Sequence, residues 1–201
     1  MLEKINMLNT NGIEIILASG SPRRKVFFEQ MELPFKVKVI PVDEDFPSGL
    51  NGIEIAKHIV HQKADAFIRN MKEKQLIITA DTIVWHNNES LGKPKNVVQA
   101  KNMLMTLSND SHEVITAVGF LQKDNWELIY EVSKVTFGKI NDLEIENYIK
   151  TGSPLDKAGA YGIQDSFGIK NITSIHGSYS NIIGLPVPQV LKKIKEIISK
   201  N

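Results

Sequence analysis

The chain contains no cysteine. That absence removes a disulfide framework, a thiolate zinc site and a cysteine nucleophile together, and it fits a reducing compartment. Charge of one sign is also missing: 24 Lys and Arg stand against 23 Asp and Glu, a formal net charge of +1. No global field therefore gathers nucleic acid or anionic membrane, and any polyanion has to be bound locally. Long apolar runs are absent too, none approaching the ~18 residues of a membrane span. The polar stretch from Met1 to Asn11 lacks the apolar core of ~7–15 residues that a secretory signal carries. The expectation is a cytoplasmic protein that engages neither membrane nor nucleic acid. No G-x-x-x-x-G-K-[ST] element occurs, which excludes a P-loop. The histidines, His58, His61, His86, His112 and His176, show no recognised metal-ligand spacing.

What is present is a chain of 201 residues with 42% hydrophobic content, long enough to bury a full core. No linker, repeat or low-complexity tract interrupts it, so residues 1–201 read as a single α/β domain around a mixed sheet. Ile13 to Ala18 is a short apolar run ending in Ser-Gly-Ser-Pro, after which Val26, Phe27 and Met31 return at helical spacing. Phe35, Val37 and Val39 alternate with lysines as a half-buried strand would, and lead into an acidic loop, Asp43-Glu44-Asp45. A helix from about Ile53 to Met71 carries Ala56, Val60 and Phe67 on one stripe, and Gln75 to Ala80 forms the next strand, with Asp81 at its end. Glu113 to Leu121 and Leu128 to Phe137 are rich in β-branched and aromatic residues, as antiparallel strands are. Asn141 and Glu144 have capping-box spacing. The last helix places Val187, Val190, Leu191, Ile194, Ile197 and Ile198 on one face.

Several residues carry chemistry. In Ser19-Gly20-Ser21-Pro22-Arg23-Arg24, Ser21 suits an N-cap and Pro22 a first helical position, so free N–H groups lie beside two guanidinium groups. The segment reads either as a phosphate site or as an ordinary capped helix with two solvated arginines. Lys63 falls on the apolar stripe of its helix, where an ammonium is costly unless it is paired or meets an anion; otherwise it snorkels to the stripe's edge. Were it unpaired, replacement by methionine would preserve or raise stability. Glu44 and Asp81 are candidate partners, for Lys63 or for a divalent metal. Asp81 at a strand end would line a ligand crevice or simply form an Asx turn. Lys93, between Gly92 and Pro94, is a fixed cation or an exposed turn lysine. Gly159, Gly162 and Gln164 form a phosphate nest with an amide for base recognition, or only a sharp turn.

Taken together, the segments ILASGSPRR (16–24), VDE (42–44), Lys63-Ala64, ADTIV (80–84), GKP (92–94), ITAV (115–118), DKAGAYGIQ (156–164) and GSYSNIIGLP (177–186) resemble, in order, the Maf family of nucleoside triphosphate pyrophosphatases. The resemblance implies an elongated mixed β-sheet flanked by helices, two lobes with a central cleft, and a fold similar to inosine triphosphate pyrophosphatases. It implies Asp81 as the general base, Glu44 with Asp81 as ligands of Mg or Mn, and a triphosphate held by Ser19, Ser21, Arg23, Arg24, Lys63 and Lys93. Arg23, Thr82 and Gln164 match the branch resembling dTTP/UTP pyrophosphatases rather than the one preferring 7-methyl-GTP. Asp165 stands where the family usually has glycine, which places a side chain and a negative charge in the loop beside the base site. A homodimer is a further implication, and so is a competing role as a regulator of septum formation acting through protein or nucleic-acid contacts. Near-neutral charge and the lack of an RNA-binding aromatic motif favour the enzyme.

Overall fold

The computed structural model describes residues 9–200. Strand β1 (Glu14–Leu17) leads into helix α1 (Pro22–Gln30) and strand β2 (Phe35–Val37). Helix α2 (Gly52–Ile68), strands β3 (Gln75–His86) and β4 (Glu89–Leu91) and helix α3 (Val97–Leu107) follow. Strands β5 (Ser111–Gln122) and β6 (Asn125–Phe137) come next, then helices α4 (Asp142–Lys150) and α5 (Ser166–Asn171), separated by two 3-10 turns. Strand β7 (Ile172–His176) and helices α6 (Tyr179–Ile183) and α7 (Val187–Ser199) complete the chain.

The sheet runs β2-β1-β3-β5-β6-β7, with β4 paired to β3 off this path. β1 lies parallel to β2 and β3, whereas β3, β5, β6 and β7 are antiparallel. Helix α2 covers one face, packing Ile55, Ala56, Ile59 and Val60 onto Ile83, Ile115 and Ala117. On the other face the core divides in two. Phe28 of α1 and Val190, Ile194 and Ile197 of α7 pack on Leu17, Leu76, Ile78 and Phe120. Leu104, Ile145, Tyr161 and Ile183 pack on Val84, Val114 and Phe137. Only the second of these clusters, through Val84, Val114, Tyr161 and Ile183, reaches the central cleft, where it faces Ile59 and Phe67 of α2.

Local sequence explains most element starts, and the structure departs from the sequence pattern at four places. A complete capping box opens α2: Asn51 Oδ1 accepts from the Ile53 and Glu54 amides, and Glu54 Oε2 accepts from the Asn51 amide at 2.8 Å. At Asn141 only half of that motif forms. Its Oδ1 accepts from the Glu144 amide at 2.9 Å, but Glu144 turns to the Asn141 side-chain amide instead of its backbone. The strand expected to end at Ala80 continues to His86, so Asp81 sits within β3, not at its end. The reason is pairing: β5 accompanies β3 from Ile77 to Trp85 and keeps it extended beyond its polar residues. β2 stops at Val37, and Val39 lies beyond it, more than half exposed. Helix α2 ends at Ile68, short of Met71.

His112 on β5 is 2% exposed. Its Nε2 lies 2.7 Å from the Tyr161 hydroxyl and its ring stacks on Phe137. Burial, with the charge of His86, pushes the imidazole pKa down to about 3 against the opposing pull of Asp110, so the folded protein holds it neutral. An unfolded histidine takes up a proton near pH ~6.5. The folded pKa is the lower of the two, so stability is lost as pH falls from that value toward 3, by about 2 kcal/mol at a pH of roughly 5. In His112→Gln, which retains a partner for Tyr161, urea unfolding at about pH 7 and pH 5 should show a stability loss smaller by about 2 kcal/mol. An unchanged loss would assign the acid sensitivity to other groups.

Candidate active site

The site follows from how β3 changes neighbours. On one edge it pairs with β5 from Ile77 to Trp85, while on the other it pairs with β1 only as far as Ile78 and with β4 only from Val84. The intervening edge, Thr79 to Ile83, is left without a strand partner there. β1 turns away at that point through Ser19 to Pro22, and β4 leads into Gly92 and Lys93. A cleft of about 940 Å³ opens between these segments, lined also by Glu44, Lys63 and the loop from Asp156 to Asp165.

At its floor Lys63 Nζ lies 2.8 Å from Asp81 Oδ1 and 2.8 Å from Glu44 Oε1. The Lys63 and Asp81 side chains are 16% and 12% exposed, whereas Glu44 is 55% exposed, so the triad runs from the interior to the rim. Helical spacing on α2 accounts for the position, since Lys63 lies between buried Val60 and buried Phe67. The ammonium is paired on both sides, so removing it leaves two carboxylates facing each other, and the gain in stability expected from burying an unpaired charge does not apply. Glu44 and Asp81 offer hard oxygen ligands suited to Mg or Mn. Among the described residues no group of three or more His, Cys, Asp or Glu could hold a metal, so these two carboxylates would need phosphate oxygens and water to complete a coordination shell.

The Ser19–Arg24 turn forms the adjoining wall. Ser21 Oγ caps α1 by accepting from the Arg24 amide at 3.5 Å. The Arg24 side chain is folded inward: its Nε donates to Gly184 O at 2.9 Å, one terminal nitrogen to Ser19 Oγ at 3.1 Å and the other to Thr82 Oγ1 at 3.0 Å. Burial pulls its pKa down, while Asp81 and Glu44 pull it up. Three of its five N–H groups are used, leaving two. Ser19 Oγ also accepts from the Ser21 amide at 3.3 Å, so its own proton remains to be donated. Arg23 is more open and meets Asp156 Oδ2 across the cleft at 3.7 Å. Burial pushes the Asp156 carboxyl up, but Lys157, Arg23 and Lys93 outweigh it and hold the group below its ordinary value. Lys93 is exposed on the same rim.

Gln164 is exposed at the end of the cleft. Its loop follows a constrained path: Gly159 has φ 67°, and a Cβ there would come within 3.0 Å of Val84. Asp165 acts as an anchor for this loop. Its Oδ2 accepts from Tyr148 at 2.5 Å and Ser153 at 2.8 Å, with Lys157 at 3.5 Å. Burial, followed by the carboxylate of Asp165, raises the Tyr148 pKa and keeps that phenol protonated as a donor. Sequence reasoning assigned roles to Arg24 and Thr82 but missed Thr116, Asn181 and the Gly184 carbonyl behind them. The available signal was a hydroxyl amid the apolar VITAVGF run and an amide amid YSNIIG.

Among the described residues no helix is long and apolar enough to cross a membrane. Compared with known proteins, residues 14–197 match the family model described as Maf-like protein. A dTTP/UTP pyrophosphatase of Flavobacterium psychrophilum is 48% identical over 177 residues, covering 88% of this chain and 91% of that one. Another of that name, from Flavobacterium johnsoniae, is 44% identical over 92% of this chain and 95% of its own. The solved structure of the Staphylococcus aureus Ham1 protein is a loose likeness, with a TM-score of 0.44 at 15% identity over 62% of this chain and 71% of that one. With the match running from β1 to α7 and similarity extending over most of each Flavobacterium chain, this chain belongs to the Maf-like protein family.

Proposed function

We propose that the cleft hydrolyses nucleoside triphosphates, dTTP and UTP foremost, to the monophosphate and pyrophosphate. The observation that carries this reading is Lys63 held between Asp81 and Glu44 at the base of a cleft whose other walls supply Arg23, Arg24 and Lys93. The names of the Flavobacterium relatives support it. Phosphoryl chemistry of this kind requires positioning and charge neutralisation, not a covalent nucleophile. Asp81 accepts a proton from water as the water oxygen bonds to the α-phosphorus. The bond from that phosphorus to the bridging oxygen breaks, and its electron pair leaves with pyrophosphate. Lys63 keeps both carboxylates in place. Ser19, Ser21, Arg23, Arg24 and Lys93 take the anionic oxygens of the triphosphate. Glu44 and Asp81 would hold Mg or Mn together with those oxygens, and the ion would neutralise charge on the phosphates.

Gln164 offers both a donor and an acceptor, which match the O4 and N3–H edge of uracil or thymine. Gln164 is exposed in the free protein, so its hydrogen bond to the base contributes about 0.5–1.5 kcal/mol, or roughly 2- to 13-fold in kcat/KM. The order expected is dTTP and UTP first, CTP weaker, ATP and GTP near background, with Gln164→Ala flattening the pyrimidine ranking more than it lowers total activity. Pyrophosphate release measured for the five nucleotides checks this, and a preference for GTP would sink it.

Asp81→Asn retains an oxygen that can accept from Lys63 but cannot take up the water's proton. Turnover should fall about 10²- to 10⁴-fold with the melting temperature little changed; near-normal turnover would remove the general-base role. Lys63→Met leaves Asp81 and Glu44 facing each other, so both activity and melting temperature should drop. A variant that melts at or above the wild-type temperature would show that the pair contributes nothing to the fold.

A further inference from the structure

Behind Arg24 runs a chain of hydroxyl groups whose proton directions can be worked out one by one. Thr116 on β5 is fully buried, and its Oγ1 lies 3.0 Å from the backbone carbonyl of Asn181. A carbonyl only accepts, so the Thr116 proton is directed to Asn181. Thr116 Oγ1 also lies 2.9 Å from Thr82 Oγ1. With the Thr116 proton already committed, Thr82 donates in that contact. The Thr82 oxygen is then left as an acceptor, and 3.0 Å away stands a terminal nitrogen of Arg24. Asn181 is itself fully buried, its side-chain amide donating to Val114 O at 3.0 Å and to Ser133 Oγ at 2.9 Å. The relay therefore starts from a fixed point in the core and ends on the guanidinium at the cleft wall.

We propose that Thr116 is a positioning residue for triphosphate binding: through Thr82 it holds the Arg24 guanidinium in the orientation that presents its two remaining N–H groups to phosphate. The proposal rests on the phosphate-binding role of the cleft given above. It also changes the part played by Thr82. Its hydroxyl has no proton left for a nucleotide, so its effect on substrate choice passes through Arg24 and not through a bond to the base. Gly184 supplies the second support. Its backbone, at φ 127°, directs a carbonyl to Arg24 Nε, and a Cβ there would stand 3.4 Å from Thr82 Oγ1.

Thr116→Val removes the hydroxyl at nearly constant volume. The Asn181 carbonyl is not orphaned, because the Gly184 amide also donates to it at 2.9 Å. Thr82 then loses its acceptor, its proton is free to turn, and the oxygen facing Arg24 is no longer fixed. Pyrophosphate release from dTTP should show KM raised about tenfold with kcat within about twofold, the pattern of lost ground-state binding. Thr116→Ser, which restores the hydroxyl, should return KM to within about twofold of wild type. Thr82→Val should raise KM similarly, and the double valine variant should be no worse than the poorer single, since both break one chain. A Thr116→Val protein with a lowered melting temperature and wild-type KM would overturn the proposal by making the hydroxyl merely structural. If that variant does not fold, Thr82→Val decides alone: a raised KM supports the relay and an unchanged KM overturns it. Titration calorimetry with inorganic triphosphate separates the relay from the proposed activity. A wild-type protein that turns over no nucleotide defeats the activity, while weaker triphosphate binding by the valine variants still supports the relay, and equal binding by all forms overturns it.

Discussion

The site depends on a gap along one edge of β3. A strand of this length, flanked by β5 along nearly its whole course, could have been covered equally on its other side. Instead β1 stops opposite Ile78 and β4 starts opposite Val84. The unpaired interval lies at a depth where Asp81 is 8% exposed, and it exposes side chains from both faces of the sheet to one cleft. Asp81 points toward α2 and Lys63, while Thr82, one residue on, points to the opposite face and Arg24. A continuous sheet edge would have kept these two faces apart.

Charge in the cleft is graded from floor to rim. The innermost cation, Lys63, is balanced by two carboxylates, which offsets the cost of removing it from water. Arg24 is held by neutral oxygens only, from Gly184, Ser19 and Thr82, and Asp81 and Glu44 act on it through space. It therefore keeps an unneutralised charge together with spare donors, the combination that suits an incoming polyanion. Arg23 and Lys93 lie outermost, with Asp156 drawn toward them. An entering anion meets the outer cations Arg23 and Lys93 first and the inward-folded, oriented Arg24 last.

The polar scaffold behind this gradient explains why several core positions are not apolar. Thr79, Thr116, Ser133 and Asn181 are all fully buried, and each makes a hydrogen bond to a named partner: Thr79 Oγ1 donates to Val60 O, while the others form the relay and its anchor. One group stays unmatched, since Asn181 Oδ1 has no hydrogen-bond partner among the described residues. The bonds that are made specify one arrangement of side chains, which an apolar core of equal volume would not do.

Much of the architecture was legible in sequence because hydrophobic period reports which face is buried. The antiparallel strands β5 and β6, the stripe of α7 and the Ser21–Pro22 start of α1 all follow from residue type and spacing. Period fails where a buried element carries polar residues: Asp81 and Thr82 in mid-strand looked like the end of β3, and the capping box was assigned to Asn141 in place of Asn51. The ordered motifs mark Ser19, Arg24, Glu44, Lys63, Asp81 and Gln164 from sequence alone, and all six line one cleft. What the sequence by itself determined is the inventory of charges and donors and the elements that carry them, because both follow from local chemistry. Only the tertiary structure decided that Lys63 is paired on both sides, that Arg24 faces inward, and that Thr116 and Asn181 stand behind it. Those facts depend on contacts between residues up to 160 positions apart, and no local pattern encodes where β1 ends relative to β3.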